Sequence, residues 1–255
     1  NISADSTAGP GLTYNASNGY FLSPSYYSML IDGASNSEIA AINTGIREAF
    51  LGNCQGMAVT NGMFFTGDLK LSQVDGSAKN AYSLAAPVTN PALRDAIVYY
   101  QLIQEYDLYR SMRKSGSERG NSKNLETLIT TLQAKLPEPV VISVTGDGWA
   151  HAMLAYDMTE ADRVHKVTLY DPNNVEKPVT MEITKIDGTY YCGYSDAAYR
   201  GTILRSSTPV GDSIFSAENF QSALRPLKQA VETGEAVITA SSGSITIESA
   251  GKTAV

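Results

Sequence analysis

The sequence predicts an α+β protein, and three observations carry the prediction. Apolar residues recur at helical spacing through the first half of the 255-residue chain. After Pro139 the period changes to short runs fit for strands, beginning with "VVISV". Further on, "KIDGTY" places Asp187-Gly188 between two such runs, the turn chemistry of a tight β-hairpin. Helices gathered ahead of strands, rather than alternating with them, are the mark of the α+β class.

Taken in order, residues 1–34 are rich in Gly, Ser, Asn and Tyr with no steady period, and read as an extended arm over the body. "SNSE" (Ser35 to Glu38) is a capping-box signature, and Ile39, Ile42, Ile46, Ala49 and Phe50 follow on one helical face. After Gly52 a second helix begins near Cys54 and is expected to bury Met57, Ala58, Phe64 and Phe65, although Gly56 and Gly62 weaken it. Asn90 as cap and Pro91 at the first helical position open a long helix. Its stripe runs through Ala96, Tyr99, Leu102, Ile103, Tyr106 and Tyr109, and Arg110, Arg113 and Lys114 suit the negative end of its dipole. "SGSERGNS" reads as a loop. Leu125, Leu128, Ile129, Leu132 and Leu136 then mark another helix, stopped by Pro137.

Beyond Pro139, "HAMLAYDM" and "HKVTLYD" follow the first strand, and "PVTMEITKIDGTYYCGY" completes the set as a hairpin. A short helix is expected near 216–224. The main domain thus spans 35–232, with a helical lobe at 35–136 and an antiparallel β lobe at 139–205. Residues 233–255 alternate as a hairpin tail and read as the start of a further domain, so the chain is expected to belong to a larger protein.

Composition narrows the function. A net charge of −7 lacks the basic stripe that nucleic acid requires. No apolar run approaches the roughly 20 residues of a transmembrane helix. Opening at Asn1, the chain is expected to be a processed protein or a trimmed piece of one, and its richness in Tyr (15, against 6 Phe) and small polar residues points to a bacterial protein, extracellular or at the cell surface. Two cysteines, Cys54 and Cys192, are too few for a disulfide framework; a single bridge between them is one reading and two free thiols the other.

Chemistry concentrates at three element ends. Cys54, in "GNCQGMAV", opens a helix, where the dipole and a nearby imidazolium lower a thiol's pKa. Of the two histidines, His165 reads as a solvated strand end beside Arg163 and Lys166. His151 follows the Gly-rich turn of "GDGWAHAMLAYD" and precedes an apolar run, a position for a fixed base. Antiparallel pairing of its strand with the next brings Asp171 or Asn173, in "YDPNN", beside the ring to orient it. A cysteine is otherwise most often a small buried hydrophobe, and an Asp before Pro a plain turn residue. Trp149, the one tryptophan, walls a cleft or caps the core.

Together, "GNCQGMAV", "HAMLAYD" and "YDPNN" resemble the papain-like cysteine peptidases, above all a bacterial branch akin to the double-glycine leader peptidases. The matching pieces cover about 50 to 173. The resemblance implies a helical lobe that carries the nucleophile helix and packs on the β lobe. It implies Cys54 as nucleophile, His151 as base and Asp171 as orienting group, with Asn173 as the alternative. A peptide or protein is the implied substrate, with neither a cofactor nor a metal. Where such peptidases commonly carry a glutamine six positions ahead of the cysteine, this chain has Glu48, an anion and no donor. The oxyanion would then fall to the Cys54 N–H with Gln55 or Asn53. A transglutaminase-like transfer would use the same three residues. A non-catalytic papain-like surface module for binding or adhesion is the alternative from another class.

Other strings match by chance. "SMRK" lacks the companion motifs of penicillin-binding enzymes, "GYSDA" lacks a strand-turn-helix context, and "DPNNVEKPVTME" lacks the glycine of a calcium loop. No Cys/His cluster with zinc-ligand spacing occurs.

Overall fold

In a computed structural model of the chain, the residues described are 22, 24–31, 34–47, 52–84, 89–134, 138–174, 177–210, 236–241 and 244–249. Glu48, the helix end at Leu136 and Pro137, and the helix expected near 216–224 lie outside them.

The fold is α+β. Its helices are α1 (Pro24–Ile31), α2 (Asn36–Arg47), α3 (Cys54–Thr66), α4 (Leu71–Val74), α5 (Pro91–Leu102), α6 (Asp107–Arg119) and α7 (Asn121–Leu132). The strands β1 (Val140–Gly146), β2 (Trp149–Ala161), β3 (Val164–Tyr170), β4 (Val179–Ile186), β5 (Thr189–Tyr194) and β6 (Ile203–Pro209) form one antiparallel sheet, in the order β5-β4-β3-β2-β1-β6. A separate hairpin pairs β7 (Ala236–Ser241) with β8 (Ser244–Ser249). The β4–β5 turn takes left-handed φ values at both Asp187 (48°) and Gly188 (82°), as its sequence predicts.

Period-2 alternation divides the sheet into two apolar faces. Val141, Ala152 and Leu154 face the helical core built on Ala58, Val59 and Met63 of α3. Val140, Ile142, Val144, Met153 and Ala155 face the opposite way and pack with Leu125, Leu128, Ile129 and Leu132 of α7. The sheet is therefore covered on both sides.

Several expectations need correcting. Residues 24–31, read as part of an extended arm, form α1, because Tyr27 and Leu30 sink into the helical core. On α3 the buried apolar positions are Ala58, Val59 and Met63, while Phe65 is 59% exposed. The single helix expected over 91–114 is two. α5 ends at Leu102, a 3₁₀ turn spans Ile103–Glu105, and α6 starts at Asp107. The break is held from outside the segment. The Tyr106 hydroxyl donates to the Leu30 carbonyl, and Glu38 Oε1 accepts the Asp107 N–H at 2.9 Å. Glu38 also closes the expected capping box, accepting from Ser35 N–H at 2.8 Å. One carboxylate thus caps two helices.

Most of the stretch read as a loop, 115–119, continues α6. Gly116 makes this fit: a Cβ there would lie 3.0 Å from the Ser206 Cβ on β6. Asn124, fully buried on α7, donates from Nδ2 to the carbonyls of Gly116 (2.8 Å), Arg205 (2.9 Å) and Leu204 (3.2 Å). It ties two helices to β6. Asn124→Ala leaves buried carbonyls unmatched and is expected to cost about 2–3 kcal/mol, read from urea denaturation.

Candidate active site

Helix α3 begins at Cys54, with no acidic residue in its first turn to oppose an anion there. The first intrahelical bond runs from Met57 N–H to the Asn53 carbonyl at 2.9 Å, and of the N–H groups that a helix start leaves unpaired, that of Gly56 donates to Gln101 Oε1 at 2.8 Å. Those bonds leave the amides of Cys54 and Gln55 at the tip. Opposite them, β1 and β2 run past the end of β3: His151 pairs with Val144, whereas β3 joins only at Leu154↔Tyr170. The free margin of β2 meets the helix start, and the Ala152 and Gln55 N–H groups both hydrogen-bond the Cys54 sulfur.

His151 is 6% exposed and Asp171 is 2% exposed. The imidazole Nε2 lies 2.8 Å from Asp171 Oδ1, which also accepts the Asn173 backbone N–H at 2.9 Å. With Nε2 committed to the carboxylate, Nδ1 is the nitrogen left for the thiol, with which the ring shares a side-chain hydrogen bond. Cys54, His151 and Asp171 form one hydrogen-bonded chain. Asn173 enters it through its backbone amide, and its side chain is exposed.

Burial alone would push the Cys54 thiol up and the His151 imidazole down, because each would lose its charged form. The opposite happens at both. The hydrogen bond and charge of His151, with the amides of Ala152 and Gln55, hold the thiol below its ordinary value. The hydrogen bonds and charges of Cys54 and Asp171 hold the imidazole above its own. Thiol down and imidazole up favour a thiolate–imidazolium pair, which titrates as a unit.

The other residues expected at the site divide. The Gln55 side chain is 5% exposed and donates from Nε2 to the Tyr109 hydroxyl on α6, so its backbone amide faces the sulfur while its carboxamide faces the helical core. Asn53 Oδ1 is buried with no hydrogen-bond partner among the described residues. Trp149 is 41% exposed and lies over Gly146, where a Cβ would sit 2.5 Å from its ring. His165, expected as a solvated strand end, has a side chain only 13% exposed that lies 3.6 Å from Glu160, at the opposite end of β2. Cys192, on the edge strand β5, is free like Cys54, and burial pushes its thiol up.

Tyr199 went unread in the sequence. It lies in a 3₁₀ turn between β5 and β6, 5% exposed, with its ring stacked on His151 (centroids 5.7 Å apart, planes 6° apart). Its hydroxyl donates to Asp171 Oδ2. Burial and the Asp171 carboxylate raise its pKa, which keeps it a donor. The Trp149 ring lies 6.1 Å from that of Tyr199, centroid to centroid, tilted by 56°. Tyr199→Phe keeps the stack but strands a buried carboxylate oxygen. The expected loss is about 1–3 kcal/mol of stability, measured by chemical denaturation.

Among the described residues, no three His, Cys, Asp or Glu side chains gather to hold a metal ion. None of the described helices is long and apolar enough to cross a membrane. Compared with protein-family models, curated proteins and solved structures, the chain matches none of them.

Proposed function

We propose that the chain is a cysteine hydrolase of papain-like design that cleaves peptide or amide bonds. The observation that carries the reading is the hydrogen-bonded chain Cys54–His151–Asp171 at a helix N-terminus, with thiol and imidazole pKa values displaced toward the ion pair. Nucleophile, base and orienting group are the three parts that acyl transfer by a thiolate requires.

In the proposed reaction the Cys54 thiolate attacks the carbonyl carbon, and the C=O electron pair moves onto oxygen. The N–H of Cys54 at the helix tip is placed to bind that oxyanion. The imidazolium gives a proton to the leaving amine as the C–N bond breaks, which leaves a thioester on Cys54. Neutral His151 then takes a proton from water, hydroxide adds to the thioester, and the acid departs as the thiolate and imidazolium are restored. Asp171 holds the ring in one plane throughout, and Tyr199 holds Asp171.

The test is the pH dependence of Cys54 alkylation by iodoacetamide, with Cys192 changed to Ser. A thiol with a lowered pKa reacts in acid to neutral solution, and its rate levels off once it has ionised. In His151→Ala the burial of Cys54 is offset only by the Ala152 and Gln55 amides, so the rise moves to higher pH and the rate at pH 6 falls about tenfold or more. Identical profiles in the two proteins would sink the proposal.

A further inference from the structure

A cavity of about 460 Å³ opens beside the site, a volume in the range of built ligand pockets. We propose that it receives a large apolar side chain, aromatic or long aliphatic, of the peptide that Cys54 attacks. The inference rests on the proposed hydrolase reading and adds the substrate class to it.

Continuity with the nucleophile comes from the helix. Cys54, Met57, Asn61 and Phe64 follow one another at spacings of three and four, so they share a face of α3. Met57, Asn61 and Phe64 line the cavity. A peptide lying across the sulfur therefore has this face running away beneath it. The lining also includes Asp171, the third member of the chain on Cys54.

The lining decides the occupant. Leu93 of α5, Leu154 of β2 and Phe64 make it mainly apolar. Among the described residues of the wall Asp171 is the buried charge, and it already accepts from His151, Asn173 and Tyr199. It has no call for a cationic guest. Among the described residues of the lining, Lys177 is the cation; it is exposed and stays in water, so these residues offer no buried counter-charge to an anion either. An apolar group loses nothing by entering and gains burial. Phe65, 59% exposed, stands beside Tyr156 of the lining with ring centroids 6.0 Å apart, an apolar rim that surface helices seldom show to solvent. The lining also holds Thr60, 2% exposed, whose hydroxyl is without a hydrogen-bond partner among the described residues. A buried polar group left unmatched is uncommon in a finished core.

The test separates the pocket from the catalysis. Cys54→Ala is titrated with acetyl-phenylalaninamide and with acetyl-glycinamide, following the side-chain amide signals of Asn61 and Asn174, both in the lining. The phenylalanine compound is expected to shift them saturably and to bind at least about tenfold more tightly, a margin of about 1.4 kcal/mol. Ala81 is exposed at the cavity's edge, and Ala81→Trp is expected to fill the cavity and erase the preference. Equal binding of the two amides, or a preference that survives Ala81→Trp, would overturn the proposal. In the native chain, acetyl-phenylalanine chloromethyl ketone is expected to alkylate Cys54 at least about tenfold faster than the glycine counterpart, with the ratio falling toward one in Ala81→Trp. An ordinary thiol in the iodoacetamide profile, together with selective amide binding, removes the hydrolase and leaves the pocket. An activated thiol without selectivity removes the pocket alone.

Discussion

Asp171→Asn is expected to leave the chain folded and to lower amide turnover about 10²–10⁴-fold, the span of general acid–base contributions. The amide oxygen of Asn can still accept from His151 Nε2–H, and its NH₂ can face the Tyr199 oxygen, so the packing has no reason to open. What disappears is the negative charge 2.8 Å from the ring. That charge helps hold the imidazole above its ordinary pKa, so its loss lowers the His151 value. The Cys54 thiol, held down by the imidazolium, then rises. The proposed reaction requires a pH above the thiol's pKa and below the imidazole's, so the two limbs of its profile approach each other. The acid limb moves up and the alkaline limb moves down. Iodoacetamide alkylation of Cys54 across pH 4 to 10 in both proteins reads the first limb, and hydrolysis of an amide reads both. Limbs that stay in place would show that Asp171 does not act through the ring.

Gly56→Ala is the largest expected loss of stability. A Cβ at that position would lie 2.0 Å from the Ile97 carbonyl oxygen and 3.0 Å from the Gln101 nitrogen, both backbone atoms of α5. Neither can swing aside as a side chain can, so α3 and α5 must separate. Separation breaks the 2.8 Å bond from Gly56 N–H to Gln101 Oε1 and shifts the helix start that carries Cys54. A cost of about 3 kcal/mol or more is expected, above the usual penalty for one extra methylene in a core. Gly52→Ala is the control. A Cβ there meets nothing within 4 Å, and a change within about 0.5 kcal/mol is expected. Guanidinium denaturation of both variants measures the contrast, and equal midpoints would contradict the close crossing.

The glycine also shows where sequence reasoning stops. From propensity alone Gly56 only weakens α3; its use lies in a backbone 41 residues away, which no local pattern reports. The same holds for the break between α5 and α6. Ile103, Tyr106 and Tyr109 keep helical spacing across it, while the atoms that hold it come from Leu30 and Glu38. The α+β class was legible because each lobe has its own period, and the three residues of the candidate site because Cys54, His151 and Asp171 each sit at an element end beside a turn signal. The antiparallel pairing of β2 with β3 brings Asp171 toward His151, and Cys54 reaches them because α3 packs with Ala152 and Leu154 of β2. Tyr199 carried no such signal. It is a tyrosine in a short turn, one of 15 in the chain, and only the return of the chain from β5 to β6 brings it under His151.

The chain contains one tryptophan, and it stands against Tyr199, which stacks on the imidazole. Excited at the red edge of its absorption, the unlabelled protein therefore emits from a single place, beside the hydrogen-bonded chain of the candidate site. A guest that displaces water from Trp149, or a change in charge on His151, registers as a shift in colour or intensity with no other indole to dilute it. The molecule carries its own optical gauge of site occupancy.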